Sequence, residues 1–497
     1  MDSSSNTQKA MKGMSTLTLI TIVTGVVEMV YFSIMSRFLT REEFGLFAAI
    51  TAVSTIFTNI SEAGIGSALI HRKDLNDEYK NTSFSLSILI GIFVTSAFLA
   101  SSGLLSNLVI GSEVMRLPLM IISVTIFFSG LNSVYLGVMR RNLEFLKSGL
   151  ITLTSAVISS LVAVVMAING FGVYSIITKA ILGSFLISFI SALFTKNSFH
   201  FSIKKEYVKN IVNYGGWLTF GVMIRTLADQ VDRLMMSRLL SVKALGAYNR
   251  PKDFILGIGG QVSGIFDTVL FPVLSSIQDE KERMHRSFNV SQYNLNLFSM
   301  LLAMVFICNT DLIIRVFFGQ EWMDLRVLFQ IISVTLLFSF NSRLGDCYFR
   351  SLGIVKQYSF FRLIELFVNV VAILVGYHWG IVGVGVAFMI SAFLQTFIKL
   401  IYISRKIGVP YTEFIDNVIS GWRTGLYFLP IVILNYLLVP RTLKWEIAMA
   451  FIFIMVSIIV FIAVPSLLGD KYKNHTYIQL KEFITAKIPF FTKEKSM

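Results

Sequence analysis

Charged residues are scarce in this sequence. Asp, Glu, Lys and Arg make up 14% of its 497 residues, whereas soluble proteins carry about 25%. The chain therefore lacks the polar surface with which a soluble protein faces water on all sides. Its composition excludes an ordinary soluble domain.

Motifs for common chemistry are also missing. The two cysteines, Cys308 and Cys347, lie inside apolar segments without the spacing of metal ligands or disulfide partners. The five histidines are scattered, and there is no Walker motif, glycine-rich dinucleotide fingerprint or zinc motif. These absences argue against an enzyme and against an ATP-driven pump. They leave H⁺ or Na⁺ as the coupling partner we expect, with no other cofactor.

Apolar residues dominate instead, with 55% hydrophobic residues and a mean hydropathy of +0.71. They fall in runs of about 20, near the length that crosses the hydrocarbon core of a bilayer as a helix. The sequence therefore predicts an all-α membrane protein with about 14 transmembrane helices, and no loop long enough to hold a folded domain. The predicted spans are 15–38, 44–70, 82–106, 115–139, 148–168, 172–194, 208–239, 246–276, 288–314, 324–350, 356–378, 380–403, 414–438 and 443–467.

The net charge of +14 does not indicate nucleic-acid binding, because the basic residues lie at the ends of alternate apolar segments. This distribution is typical of the positive-inside rule and predicts that both termini are cytoplasmic. The first fourteen residues are polar and basic without a secretory cleavage pattern, so the first span is expected to remain as a helix. The cytoplasmic ends carry Lys9, Lys12, Arg72, Lys73, Lys80, Arg140, Arg141, Lys147, Lys204, Lys205, Lys209, Lys281, Arg283, Arg286, Arg405 and Lys406.

Short motifs in the first half of the sequence recur in the second half. Ser36-Arg37 with Gly45 and Ser237-Arg238 with Gly246 are each 201 positions apart, and Asn132-Ser133 and Asn341-Ser342 are 209 apart. A unit of six helices repeated in this way enters the membrane twice in the same orientation, which is a parallel repeat. The predicted organisation is a six-helix bundle at 1–200, a second at 201–405, two additional helices at 406–470 and a basic cytoplasmic tail at 471–497.

Two predicted spans carry several charges on one face. A charge at the centre of a membrane helix costs about 2.5–3.5 kcal/mol on insertion scales, so each charge is a functional candidate. Guanidinium groups bind phosphate oxygens in pairs and stay charged when desolvated. The arginines are therefore candidate ligands for an anionic head group: Arg225, Arg233, Arg343 and Arg350.

Carboxylates in the same spans are candidates for coupling transport to an ion gradient. Glu28, Glu62 and Asp267 have no basic residue one helical turn away, so they pair across helices, are protonated or face water. The alternative is a set of structural ion pairs, for which Arg225–Asp229 and Asp229–Arg233 have the right helical spacing. For Lys179, Arg362 and Glu365 we expect snorkelling to the membrane interface. The ion-coupling candidates are Glu28, Glu62, Asp229, Asp232, Asp267 and Asp346.

Several short motifs follow one another in a specific order. The chain resembles the Wzx-type (colanic-acid exporter-like) flippases of the multidrug/oligosaccharidyl-lipid/polysaccharide exporter superfamily over most of its length. The motifs that carry the resemblance are Ser36-Arg37-Phe38-Leu39-Thr40-Arg41-Glu42-Glu43-Phe44-Gly45, Glu62-Ala63-Gly64-Ile65-Gly66, Asp232-Arg233, Ala244-Leu245-Gly246-Ala247-Tyr248-Asn249-Arg250, Phe271-Pro272-Val273-Leu274-Ser275 and Phe318-Gly319-Gln320-Glu321-Trp322.

The resemblance implies a flippase for undecaprenyl-diphosphate-linked oligosaccharides in a bacterial inner membrane, working by ion-coupled alternating access. The product would serve O-antigen, capsule or exopolysaccharide assembly, with membrane lipid and a polysaccharide polymerase as partners. Peptidoglycan-precursor flippases of the superfamily carry arginines in the first span, where this chain has Glu28 and Tyr31. The resemblance therefore argues against a peptidoglycan precursor.

Two other functions compete with this interpretation. A cation-coupled multidrug antiporter of the same fold would need a less charged, aromatic pocket and no lipid carrier. A membrane enzyme such as a polysaccharide polymerase or ligase would need catalytic Arg or His residues on a large outer loop, which this chain lacks. The arginines and the two additional spans favour a lipid-linked anionic substrate.

Overall fold

The computed structural model describes residues 3–72, 75–111, 113–195 and 199–426. Within them the backbone forms α-helices joined by short turns, with no β-strand, so the all-α prediction is confirmed. The α-helices are α1 (Ser3–Phe38), α2 (Arg41–Glu62), α3 (Ile65–His71), α4 (Asp77–Val109), α5 (Arg116–Arg141), α6 (Phe145–Ile168), α7 (Val173–Phe194), α8 (Lys205–Leu239), α9 (Val242–Ser276), α10 (Lys281–Cys308), α11 (Thr310–Ile313), α12 (Arg326–Val334), α13 (Leu336–Ser351), α14 (Val355–Gly376), α15 (Gly380–Ile407) and α16 (Tyr411–Leu426).

Each of the first twelve predicted spans coincides with one of these helices or with a broken pair of them. Nine stretches of the described residues are long and apolar enough to cross a membrane, and one of these, Lys356–Ile407, contains both α14 and α15. The protein is therefore a multi-pass membrane protein. The thirteenth predicted span coincides with α16 as far as Leu426. Its remainder, the fourteenth span and the tail lie outside the described residues, so the count of fourteen stays a prediction.

The described residues form two compact units. The first comprises those of Met1–Phe254, Val316–Glu321 and Ser359–Phe388, and the second comprises those of Ile255–Arg315, Trp322–Tyr358 and Met389–Met497. In the first unit α2 packs against α4, α5 and α8, and α1 packs against α6. In the second unit α10 packs against α12, α13 and α16. The predicted division into two six-helix bundles and two additional helices stays a prediction.

The start of α2 is fixed by local chemistry. Thr40 and Glu43 form a capping box, in which the Thr40 hydroxyl accepts a hydrogen bond from the Glu43 amide at 3.3 Å and the Glu43 carboxylate accepts one from the Thr40 amide at 2.7 Å. This arrangement satisfies amide groups that have no partner at the start of a helix. It fixes the sharp turn between α1 and α2.

A break separates α2 from α3 in the middle of the second predicted span. Ala63 and Gly64 both have positive φ, at 45° and 63°, a conformation that glycine adopts without penalty. Any side chain on Gly64 would also meet the backbone of Gly215 in α8, 2.8 Å from its carbonyl oxygen. The break therefore lets two backbones approach closely, and it places Glu62 at the end of α2.

The segment between the two sequence repeats lies along α4. The amides of His200 and Ser202 donate to the side chains of Asn81 and Ser85 at 3.1 and 2.9 Å. Lys204 ends the segment with an ion pair to Glu78, and this hydrogen bond raises the pKa of the Lys204 ammonium above its ordinary value. Side chains of α4 thus hold the point at which the second repeat begins.

Candidate functional site

The two repeat-related glycines contact each other's helices. A Cβ atom on Gly45 of α2 would overlap the carbonyl oxygen of Val242, and one on Gly246 of α9 would overlap the carbonyl oxygen of Arg41. Arg41 and Val242 are 201 positions apart, as are the two glycines. We call this contact the glycine crossing (Gly45 and Gly246). It is reciprocal, because each helix presents the same positions to the other.

The repeat-related arginines beside the glycine crossing make a second reciprocal contact. Arg37 at the end of α1 donates to the carbonyl of Val316 at 3.2 Å, and Arg238 at the end of α8 donates to the carbonyl of Asn107 at 3.4 Å. Asn107 and Val316 are themselves 209 positions apart, the second offset of the repeat. Each arginine therefore caps the equivalent carbonyl in the other half of the sequence.

A buried arginine lies next to the glycine crossing in the second repeat and has no equivalent in the first. Arg250 of α9 is 5% exposed and donates to the Ser36 hydroxyl and to the Phe32 carbonyl of α1. Its guanidinium carbon lies 4.9, 5.0 and 5.1 Å from the ring centroids of Phe32, Phe44 and Phe318. No carboxylate of the described residues forms an ion pair with it. Its charge is instead stabilised by three aromatic faces and by oxygen acceptors on α1.

We expect Arg250→Lys to lower the stability of the protein by about 2 kcal/mol, because lysine keeps the charge but loses one charge-assisted hydrogen bond and the planar ring contacts. The measurement is the thermal unfolding midpoint of the purified protein in detergent. Arg37→Lys is the control, since Arg37 is exposed and such changes usually stay within about 0.5 kcal/mol. Equal midpoints for the two variants would contradict the structural role of Arg250.

The charged face of α8 is largely paired with α9. Asp232, 4% exposed, forms an ion pair with Lys252, 8% exposed, and accepts a hydrogen bond from the Tyr248 hydroxyl at 3.3 Å. Arg233 donates to Asp253 at 2.6 Å and to Asn249 at 2.8 Å. The predicted pairing of Arg233 with Asp229 is therefore wrong, because Arg233 pairs with Asp253 on the next helix.

The remaining ion pair on α8 is more exposed to solvent than the pairs with α9. Arg225 and Asp229 lie 3.7 Å apart, and 59% and 52% of their side-chain surfaces are exposed. The predicted helical pair is thus present. Its guanidinium is far more open than that of Arg233, whose side chain is 18% exposed.

Lysines pair with two further candidate carboxylates. Lys179 of α7 lies 2.5 Å from Glu28 of α1 and 4.2 Å from the ring centroid of Tyr31. In the second unit, Lys399 of α15 is 1% exposed and lies 3.0 Å from Asp346 and 2.9 Å from Ser342.

The prediction that Lys179, Arg362 and Glu365 snorkel to the interface is wrong. Lys179 is 14% exposed and holds Glu28. Arg362 and Glu365 lie 2.8 Å apart and are 13% and 6% exposed. These groups are paired inside the protein because an isolated charge in an apolar interior is strongly unfavourable.

Glu62 is the candidate carboxylate that stands apart. It is half-buried at the end of α2 and has no hydrogen bond or ion pair with any side chain that the structure describes. One turn earlier, Asn59 donates to Thr226 of α8 at 2.6 Å. The backbone of Asp267 lies in α9, and its side chain is outside the described residues.

The predicted arginines are divided between the two units. Arg225 and Arg233 belong to the first, and Arg343 and Arg350 belong to the second. Arg343 is exposed and donates to the Gly260 carbonyl at 3.4 Å. Arg350 is exposed and lies 5.4 Å from the ring centroid of Phe271.

Sequence reasoning missed the lysine partners Lys252 and Lys399. A signal for Lys399 exists, since it is a lone charge in the apolar run Phe397-Ile398-Lys399-Leu400-Ile401. Among the described residues, no group of three or more His, Cys, Asp or Glu side chains could hold a metal ion.

Residues 34–327 match the model of a family described as polysaccharide biosynthesis protein. The protein belongs to this family. Curated proteins also have sequences similar to this chain. The chain is 24% identical over 434 residues to the lipopolysaccharide biosynthesis protein WzxC of Escherichia coli K12, covering 85% of each chain. It is 21% identical over 333 residues to the teichuronic acid biosynthesis protein TuaB of Bacillus subtilis 168, covering 66% of this chain and 68% of TuaB. The resemblance predicted from the motifs is confirmed.

Solved structures share the fold of this member of the polysaccharide biosynthesis protein family. The lipid II flippase MurJ in an inward closed conformation aligns with a TM-score of 0.73 at 17% identity, covering 90% of this chain and 98% of MurJ. An inward-facing multidrug resistance MATE family transporter of the MOP superfamily aligns with a TM-score of 0.63 at 14% identity, covering 78% and 94%. At these identities the two structures show the fold that the chain shares with them.

Proposed function

We propose that the protein is a flippase that moves a lipid-linked oligosaccharide across the bilayer. The observation that carries the proposal is the exposed guanidinium of Arg225 on α8, which the sequence predicts as the seventh span, 3.7 Å from Asp229. Charged groups in such helices face a protein interior or a polar cavity rather than lipid. A guanidinium in that position offers paired hydrogen bonds to a diphosphate, and relatives of this chain are named for polysaccharide biosynthesis.

Alternating access is the mechanism that the repeat supports. The glycine crossing and the Arg37 and Arg238 caps join the two repeats at the turns α1–α2 and α8–α9. With both termini cytoplasmic, these turns lie at the outer face. We therefore propose that the crossing closes the outer side while the head group enters from the cytoplasm, as parallel repeats close and open around a central site.

The proposal extends to the lipid carrier, the membrane and the partner protein. The carrier is undecaprenyl diphosphate, the membrane is the bacterial inner membrane, and the product serves a polysaccharide polymerase. Arg225 is the head-group ligand that we propose for the first unit, and Arg343 and Arg350 stay separate candidates in the second unit. Arg233 is held by Asp253 and Asn249, so its proposed role is to orient the face that carries Arg225.

Glu62 is the ion-coupling residue that we propose first. Its carboxylate has no ion-pair partner among the described side chains, whereas Glu28, Asp232 and Asp346 are each paired with a lysine. A carboxylate that forms no close ion pair changes its protonation or ion-binding state without first breaking a salt bridge.

The test is complementation of the host strain from which the chromosomal copy has been deleted. We expect wild type to restore surface polysaccharide, and Arg225→Ala and Glu62→Gln to reduce it by at least about tenfold, which is a loss of about 1.4 kcal/mol. Arg283→Ala is the matched control for Arg225, because Arg283 is an equally exposed arginine in an ion pair one turn from its partner. Glu42→Gln, at an exposed position, is the control for Glu62.

Two results would contradict the proposal. Undiminished polysaccharide in the deletion strain would remove the protein from the export route. Wild-type levels of surface polysaccharide in Arg225→Ala cells would remove the support that Arg225 gives to the proposal. If the deletion instead raised susceptibility to cationic drugs, the multidrug antiporter would replace the flippase.

A further inference from the structure

Polar side chains cover one face of α10, from its start to its middle. His285, Asn289, Gln292 and Asn296 follow one another at spacings of 4, 3 and 4 residues, which places them on one stripe of the helix. The last three are at most 3% exposed. Such a stripe is costly in a membrane protein unless its groups have partners.

The matching face of α16 supplies part of those partners. Both carboxylate oxygens of Glu413 are engaged, one 2.9 Å from the His285 ring nitrogen Nε2 and the other accepting from Asn289 at 2.7 Å. Asn417, one turn further along α16, donates to Asn289 at 2.8 Å. From α13, Asn341 donates to Asn296 at 2.6 Å.

Three amide atoms in the middle of this network have no partner. They are both side-chain amide atoms of Gln292 and the side-chain oxygen of Asn417, and both residues are 0% exposed. An unpaired buried polar group costs about 1–3 kcal/mol. A sequence that retains three such atoms at one level of a helix pair therefore indicates a ligand.

The two unpaired residues lie at the same level. Asn417 contacts Asn289, and a Cβ on Gly421 would lie 2.5 Å from the Asn296 side chain. Gln292 lies between Asn289 and Asn296 on α10, and both of those residues contact α16. We call Asn289, Gln292, Asn296 and Asn417 the amide cluster.

The chemistry of the amide cluster favours a small cation. Two of the three unpaired atoms, Gln292 Oε1 and Asn417 Oδ1, are amide oxygens, which are hard ligands of the kind that hard cations select. The third, Gln292 Nε2, is a donor and takes no part in binding a cation. The nearest carboxylate is Glu413, whose oxygens already bind Asn289 and His285. A divalent ion would need more negative charge than one shared carboxylate provides, whereas a monovalent ion matches it.

We propose that the amide cluster binds a dehydrated monovalent cation, with Gln292 and Asn417 as the ligands from α10 and α16. Bound there, the cation would fasten α16 to α10. Cation binding itself does not depend on the transported substrate. Its use to drive transport rests on the proposed flippase function.

The test uses the purified full-length protein in detergent, with its thermal unfolding midpoint measured in sodium, lithium, potassium or choline chloride at one ionic strength. We expect sodium or lithium to raise the midpoint saturably over choline by about 2–4 °C. Gln292→Leu and Asn417→Leu should abolish this rise. Gln395→Leu is the matched control, because Gln395 belongs to the same unit and its amide has a partner in Ser391 at 2.6 Å.

The folding of the variants is checked separately, by their unfolding temperature in choline chloride. In choline, Gln292→Leu should unfold at or above the wild-type temperature, because the substitution removes two unpaired amide atoms. Binding of radioactive sodium to wild type supplies a second measurement without any variant. Superimposed sodium and choline curves for wild type, or an equal rise in Gln292→Leu, would overturn the proposal. Sodium binding in a protein that does not support polysaccharide export would leave the site standing and remove its coupling role.

Discussion

Gly246→Ala should reduce surface polysaccharide by at least about tenfold in the complementation assay. The added methyl group overlaps the carbonyl oxygen of Arg41, which is backbone and cannot rotate away. Helices α2 and α9 must then separate, and overpacking of this kind costs about 1–3 kcal/mol or more. Because the overlap exists when the helices cross, the variant disfavours that conformation.

Two comparisons separate this effect from a general loss of folding. Gly257→Ala makes the same change in the same helix, where a Cβ would meet nothing within 4 Å, so it should retain activity. Gly45→Ala should reproduce the defect of Gly246→Ala, because the crossing is reciprocal.

The reactivity of a cysteine on α2 reports directly whether α2 and α9 have separated. A cysteine at Ala49, which is 0% exposed on α2, should react with a membrane-impermeant maleimide in Gly246→Ala cells and not in otherwise wild-type cells. Cys308 and Cys347 are replaced by alanine in this background. Normal polysaccharide together with unchanged labelling in Gly246→Ala would contradict the role assigned to the crossing.

Lys399→Met should destabilise the protein by about 3–5 kcal/mol, because it removes the ammonium group that pairs with the buried carboxylate of Asp346. The pair is closed to solvent, with Lys399 1% exposed and its ammonium 3.0 Å from Asp346. The measurement is the unfolding midpoint and the amount of protein in the membrane. Lys356→Met at an exposed position is the control.

The double variant Asp346→Leu/Lys399→Met distinguishes a structural pair from a transport site. Replacing a whole buried ion pair by apolar residues is often neutral or stabilising, so we expect the double variant to regain both its amount in the membrane and at least about half of its transport. A double variant that folds normally but fails to transport would contradict this expectation and place Asp346 in ion coupling.

Much of the fold could be predicted from the sequence, because membrane helices must satisfy their own backbone hydrogen bonds and show this in hydropathy. The breaks could not be predicted in this way. Ala63 and Gly64 interrupt the second predicted span at the point where Gly215 approaches from α8. A one-dimensional pattern does not contain that contact.

The candidate site was predictable in composition but less so in pairing. Helical spacing identifies partners three or four residues away, and it found Arg225–Asp229. Arg233 pairs instead with Asp253, twenty residues later, and Asp346 with Lys399, fifty-three residues later. Such partners are set by which helices lie side by side, and the orphaned amides of Gln292 become visible after that packing is known.

The reciprocity of the glycine crossing bears on how such a chain arose. A self-complementary interface uses the same surface on both partners, as in a symmetric dimer. An ancestor of half the length could therefore have closed on a second copy before duplication joined the two in one gene. The two halves are no longer identical at the crossing, because Arg250 corresponds to Ala49, 201 residues earlier. The second repeat therefore places a cation beside the crossing where the first repeat has a methyl side chain.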